Sequence, residues 1–228
     1  MKNLTKTALI AGAMGLSAAS HAIVIDDFDG PTLTATQTGI GQTSNSDSGG
    51  IGTTRTLTAI IENDGNSPSD TVTASIDFGD NDLLEYSSGP NAAGAMAEVE
   101  YTGLGGFDLT NGGINDTLTL LVIQNNAPMD FTVELDDGTN TASQTSALPA
   151  FSSNFNIDFA LAGFTGVDVT SIERALFRFD QTTSFGTDVQ IDTIETVRRS
   201  TDPIPTPASL LLIVAGVGLL VQKRRMAA

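Results

Sequence analysis

Two stretches of the chain alternate between apolar and polar residues with a period of two. Val72, Ala74, Ile76 and Phe78 alternate with Thr71, Thr73, Ser75 and Asp77. Met129, Phe131, Val133 and Leu135 alternate with Asp130, Thr132 and Glu134. Successive side chains of an extended chain point to opposite faces, so each stretch reads as a half-buried strand. Further candidate strands are Ile23–Phe28, Thr32–Thr38, Thr54–Ile61, Ala95–Tyr101, Thr117–Gln124, Phe155–Phe159, Ala175–Phe179 and Val189–Thr196. Between them lie turn clusters such as Ser48–Gly50, Asn63–Asn66 and Asn111–Gly113. Many short strands with Gly, Asn and Asp punctuation and almost no helical periodicity predict an all-β, single-domain β-sandwich or jelly roll. In Val189–Thr196 the period slips, because Val189 and Ile191 share a parity that Ile194 does not. A bulge near Asp192 and Thr193 would repair it.

What the chain lacks narrows its chemistry. Its one histidine is His21, near the N-terminus, and it has neither cysteine nor tryptophan. Histidine-dependent triads, cysteine nucleophiles and ordinary zinc sites are therefore unavailable to the folded domain. No disulfide supports the fold either, so it must stand on a packed core, for which about 180 residues suffice.

Both ends read as export signals. Lys2 and Lys6 precede an apolar run, Ala8 to Ala19, too short to span a bilayer. Ser20 and Ala22 then supply the small residues of a cleavage site, so residues 1–22 read as a signal peptide. At the other end, Pro203, Pro205 and Pro207 keep the chain extended. The 14 residues from Ala208 to Val221 carry no charge. They would make about 21 Å of helix, extended across a bilayer by snorkelling of Lys223, Arg224 and Arg225. The basic end should stay cytoplasmic, with everything before Pro203 outside the inner membrane. Helical start signals are present at Thr206 and Pro207.

This C-terminal arrangement resembles the PEP-CTERM family of Gram-negative surface proteins. The matching residues are Ile204, Pro205, Thr206, Pro207 and Ala208, the apolar run, and the basic stop Lys223-Arg224-Arg225. Thr206 departs from the glutamate that the family name implies. The resemblance covers about the last 25 residues. It implies processing by an exosortase-type transpeptidase, an inner-membrane intermediate, and a final place at the outer surface or in an exopolysaccharide matrix. The expected organisation is then a signal peptide over 1–22, a β-sandwich over 23–200, a linker and sorting motif over 201–207, and a transmembrane helix with a basic tail over 208–228.

Setting the ends aside sharpens the charge. Residues 23–202 contain all 27 acidic residues and five arginines, Arg55, Arg174, Arg178, Arg198 and Arg199, for a net charge of −22 and no lysine. Such a surface repels nucleic acid, which is excluded as a partner, and it repels anionic polysaccharide unless divalent cations intervene.

The ends of the domain are similar to jelly-roll modules of the carbohydrate-binding type, through Ile25-Asp26-Asp27-Phe28-Asp29 and Val189–Ile194. That resemblance implies a structural calcium at Asp26, Asp27 and Asp192, which suits a cation taking 6–8 oxygen ligands. A second acidic group, Asp77, Asp80 and Asp82 with Glu85, does not have EF-hand spacing and reads as a solvated loop. Aromatic side chains for a sugar platform are scarce: Tyr86 is the candidate ligand residue, while alternation assigns most phenylalanines to the core. The one carboxylate pair considered for glycosidase chemistry, Glu98 and Glu100, alternates with Ala97, Val99 and Tyr101 and reads as the wet face of a strand. The chain is therefore read as an exported cell-surface or matrix protein without catalytic residues. The alternative is a calcium-stabilised carbohydrate-binding module.

Overall fold

The computed structural model describes residues 22–52, 54–62, 70–76, 82–90, 92, 94–151, 153–181 and 186–199. Residues 1–21 of the expected signal peptide, with Ser20, the expected sorting motif Ile204–Ala208, the apolar run and Lys223-Arg224-Arg225 lie outside the described residues. So do Asp77 and Asp80 of the acidic loop. Among the described residues no helix is long and apolar enough to cross a membrane.

Among the described residues thirteen strands follow one another along the chain. They are β1 (Ile23–Asp26), β2 (Leu33–Thr38), β3 (Gly41–Asp47), β4 (Thr54–Ile61), β5 (Thr71–Ile76), β6 (Leu84–Ser88) and β7 (Ala95–Phe107), followed by β8 (Thr117–Asn125), β9 (Met129–Asp136), β10 (Thr141–Leu148), β11 (Phe155–Ala160), β12 (Ile172–Gln181) and β13 (Asp188–Val197). A 3-10 turn, Leu161–Gly163, follows β11. One sheet has seven strands in the order β11-β8-β13-β6-β5-β2, with β1 added on β13; the other has six, β10-β9-β12-β7-β4-β3. Every pairing is antiparallel. Hairpins link β3 to β4, β5 to β6 and β9 to β10, while most other connections carry the chain from one sheet to the other. The result is an all-β sandwich.

Alternation explains the layers. Inward residues of both sheets, such as Val72, Ala74 and Ile76 of β5 and Phe131, Val133 and Leu135 of β9, are wholly buried or nearly so. They meet in one core cluster. Phe131 sits at its centre, with ring centroids 4.8 Å from Phe179, 5.8 Å from Phe159 and 6.4 Å from Phe177. Each such ring contributes roughly 1.5–3 kcal/mol through burial. The slipped period in β13 is repaired as expected. Its register with β8 shifts between Ile191 and Thr193, leaving Asp192 as the extra residue and returning Ile194 to the core.

Outer faces differ in charge. On the six-stranded sheet, Arg174 pairs with Glu100 at 3.1 Å and with Glu134, and Arg178 pairs with Glu98 at 2.6 Å. Leu176 is shielded between these pairs. Hydroxyl rungs cross neighbouring strands at Ser44–Thr58, Ser46–Thr56 and Thr132–Thr145, each 2.8–2.9 Å long. Glu98 and Glu100 are therefore wet-face residues engaged with arginine.

Candidate functional site

The expected metal and sugar residues fall elsewhere than a shared site. Asp26 ends β1 and is buried, and its oxygens are taken by protein donors. Oδ1 accepts from the Phe28 backbone N–H at 2.8 Å. Oδ2 accepts from Arg55 Nη1 at 2.8 Å and from the Tyr101 hydroxyl at 2.6 Å. Arg55 reaches Asp47 with its other nitrogens, at 3.0 Å from Nε and 2.6 Å from Nη2. A guanidinium thus supplies the positive charge beside Asp26. Burial works against that charge, but the Asp47 hydrogen bond and the charge of Asp26 outweigh it and raise the Arg55 pKa. Burial and the neighbouring Asp26 push the Tyr101 hydroxyl well above its ordinary value.

Gly49 and Gly50 close over this group. A Cβ on Gly50, at φ +68°, would stand 2.7 Å from the Tyr101 ring and 3.0 Å from Asp26 Oδ2. Asp27 is exposed, and its Oδ1 accepts only from the Asp29 N–H at 3.4 Å. Asp192 sits at the β13 bulge, where Thr193 donates to it at 3.0 Å. Among the described residues no three carboxylates gather in a way that could hold a metal ion.

Tyr86 is a correction to the sequence reading. It points inward from β6, is 2% exposed, stacks on Phe179 at 6.4 Å, and donates its hydroxyl to Gln181 at 3.0 Å. Burial raises its pKa. It is not available as a sugar platform. Leu84 and Tyr86 share a parity, which is the signal that places both inside.

The surface that does gather polar groups is the outer face of the seven-stranded sheet. Pairing registers set Thr34 of β2, Ser75 of β5, Glu85 of β6, Gln190 of β13 and Gln124 of β8 in one cross-strand row. Five strands at about 4.8 Å spacing make this row ~19 Å long. Within it, Gln190 Nε2 donates to Glu85 Oε1 at 2.9 Å. The next row holds Thr36, Thr73, Ser87 and Asp188. There Ser87 donates to Asp188 at 2.6 Å, and the Thr36 and Thr73 hydroxyls lie 3.3 Å apart. Asn126 donates to Asp188 at 2.8 Å and accepts from its backbone N–H at 2.7 Å, tying the β8–β9 turn to this row.

Two depressions lie along the rows. A groove of ≈ 220 Å³ is lined by Thr34, Thr73, Ser75, Glu85 and Ser87. Ser75 forms its floor: it points outward by parity yet is only 5% exposed. A shallow cleft of ≈ 410 Å³ lies at the β8 end, lined by Gln124, Asn125, Asn126, Ala150 and Phe151. Asn125 builds this end through a two-way backbone bridge to Phe151, at 2.7 and 3.2 Å. Its side-chain amide also donates to the Pro149 carbonyl at 3.1 Å. Phe151 packs on Phe155 with ring centroids 5.3 Å apart. Phe155 is 46% exposed, although it shares the inward parity of Ile157 and Phe159, because it starts β11 beyond the end of the core. The face therefore offers hydroxyls, amides and a carboxylate in sequence, ending at a cleft lined by the half-buried Phe151 ring.

No family model matches the chain, and no curated protein matches it. Solved structures with a similar course include a family 11 carbohydrate-binding module from Clostridium thermocellum in complex with a β-1,3-1,4-mixed-linked tetrasaccharide (13% identity, 79% of this chain and 97% of that one, TM-score 0.43). A family 29 carbohydrate-binding module is also similar, at 10% identity over 82% of this chain and 99% of that one, with a TM-score of 0.42. An exo-β-agarase is similar over 81% of this chain but 26% of its own, at 10% identity and a TM-score of 0.45. At such identities and TM-scores the likeness carries nothing about ligand or activity.

Proposed function

We propose that this is an exported, non-catalytic polysaccharide-binding protein, and that it binds along the outer face of its seven-stranded sheet. The single observation that carries the reading is the row Thr34–Ser75–Glu85–Gln190–Gln124, which runs through a groove and ends at a cleft lined by Phe151, whose ring packs on the exposed Phe155. An extended sugar chain needs many hydroxyl, amide and carboxylate partners spread along a line, together with an apolar face for ring C–H groups. This face supplies both. On the opposite outer face Glu98, Glu100 and Glu134 are already engaged by Arg178 and Arg174. The same engagement holds Glu98 and Glu100, the pair considered for glycoside hydrolysis, in ion pairs with arginine.

Export is supported by the sequence at Lys2–Ala22, and delivery to an exosortase-type transpeptidase by Pro205-Thr206-Pro207 with the apolar run and basic stop. On this reading the protein ends at the outer surface or in exopolysaccharide, and the sandwich is the part that holds the glycan. Electrophoresis of the purified protein through gels containing soluble polysaccharides tests the binding. Retardation by at least one glycan is expected, weakened about tenfold by Phe155→Ala. Filling the groove floor with Ser75→Phe should weaken it further. Migration unchanged in every gel, or retardation indifferent to both variants, would remove the proposal.

A further inference from the structure

Resting on that reading of the face, we propose that the polysaccharide it takes carries free, protonated amino groups. The first observation is where the positive charge lies. Of the five arginines in residues 23–202, Arg55 is buried beside Asp26 and Asp47, and Arg174 and Arg178 serve the acids of the opposite face. Arg199 pairs with Asp158 at 3.3 Å, beyond the end of β13, and Arg198 precedes it. Glu85 and Ser87 of the groove pair with Gln190 and Asp188 at the start of β13, so roughly 30 Å of strand separates them from both arginines. Among the described residues no cation reaches Glu85 or Asp188. Their partners are the neutral donors Gln190, Ser87 and Asn126.

The second observation is the groove floor. Ser75 is only 5% exposed, lines the groove beside Glu85, and its hydroxyl opens to the groove with no hydrogen-bond partner among the described residues. Covering that hydroxyl, or the Glu85 carboxylate, with a ligand that offers no donor is costly. An ammonium group resolves both. It donates three hydrogen bonds and accepts none, so it can meet the Glu85 carboxylate and the Ser75 oxygen together. A glycan bearing carboxylates or sulfates would meet uncompensated negative charge from Glu85 and Asp188. An N-acetylated amino sugar would bring a neutral amide and leave Glu85 covered and unpaired.

Binding of short oligomers of one amino-sugar backbone, in the free-amine and the N-acetylated form, separates these cases by calorimetry. A neutral β-glucan oligomer is the third ligand. The full chain should bind the free-amine oligomer about tenfold or more tightly than the N-acetylated one, with affinity falling as salt is raised. Glu85→Gln should abolish the preference without lowering the melting temperature. Because a domain of net charge −22 attracts any polycation, Glu173→Gln is the control, removing the same charge from an exposed position on β12. An equal loss in Glu173→Gln overturns the inference, as does equal binding of the two amino-sugar forms. Binding of the neutral glucan in preference to the free-amine oligomer overturns it while leaving the polysaccharide-binding proposal intact. Binding of none of the three removes both.

Discussion

The Arg55 guanidinium lies 2.8 Å from the Asp26 carboxylate, and both side chains are almost completely shielded from solvent. With Asp47 at 2.6 Å and the Tyr101 hydroxyl on the same Asp26 oxygen, the pair joins β1 to the β3–β4 hairpin and to β7. It spans the two sheets, since β1 belongs to one and the other three strands to the second. Removing one member of a buried pair leaves an uncompensated charge. Arg55→Met is therefore expected to cost about 3–5 kcal/mol in urea unfolding. The double variant Asp26→Asn with Arg55→Met should recover part of that loss, because no charge is stranded at Asp26. A single variant losing less than about 1 kcal/mol would mean that the pair does not hold the strands together.

Asp137 shows a different use of a carboxylate. In the β9–β10 turn its Oδ1 accepts from the N–H groups of Thr139 at 2.8 Å and Asn140 at 2.6 Å, and its Oδ2 from that of Asp168 at 2.8 Å. These backbone donors, Asp168 first, favour the charged form and lower its pKa to about 2. A depressed carboxyl contributes stability that is complete above the unfolded value of about 3.9, and it is lost as pH falls through about 2. Titration of the Asp137 side-chain carbon by NMR should give a midpoint near the lower figure, and Asp137→Asn should flatten this part of the acid unfolding profile. A midpoint near the ordinary value would show that the turn is not pinned in solution.

Asp180 runs the opposite way. It faces Asp130 directly across β12 and β9, and burial followed by the charges of Glu62 and Asp130 raises its pKa, with Arg178 only partly offsetting them. A raised carboxyl penalises the fold at neutral pH, and the penalty disappears once both states are protonated, below about pH 4. Asp180→Asn should therefore stabilise the protein at pH 7 by less than about 1 kcal/mol, the usual scale for partly exposed charges. The melting temperatures of variant and parent should converge on acidification. A variant less stable than the parent at pH 7 would point to a favourable contact at Asp180 instead.

How far the fold could be read depended on whether a strand had a buried face. Thr54–Ile61 and Met129–Leu135 were legible because apolar residues recur at every second position. β3 was not, since Gly41–Asp47 holds no apolar residue and lies at a sheet edge. β10 is the opposite edge of the same sheet and shows alternation only among small side chains. β6 is five residues long, too short for its Leu84 and Tyr86 to stand out. The site was less legible still. Arg55 shares its parity with Leu57, Ala59 and Ile61, so a charged residue at an inward position was the available sign of a buried pair. Phe155 misleads by the same rule, because parity says which way a side chain points and not whether the core extends that far. The row from Thr34 to Gln124 exists only through strand pairing between residues distant in the chain, which local pattern cannot reveal.

The termini make the last prediction, and it concerns the chain rather than the sandwich. The sandwich ends at Val197 of β13, so a bond broken near Pro203–Ala208 would leave every described strand intact. An exported and sorted protein recovered from its native host should therefore begin near Ile23, end around Pro203–Ala208, and fold as the whole sandwich. Intact-mass and C-terminal peptide mass spectrometry reads both ends at once. Such a form would place the proposed polysaccharide-binding face outside the cell, without the apolar C-terminal run and available to a matrix. A mature form that keeps Lys223-Arg224-Arg225 would instead describe a protein held at the inner membrane by its own tail. The sandwich would then face outward from that membrane, and Pro205-Thr206-Pro207 would be a plain helix entry with no transpeptidase to read it.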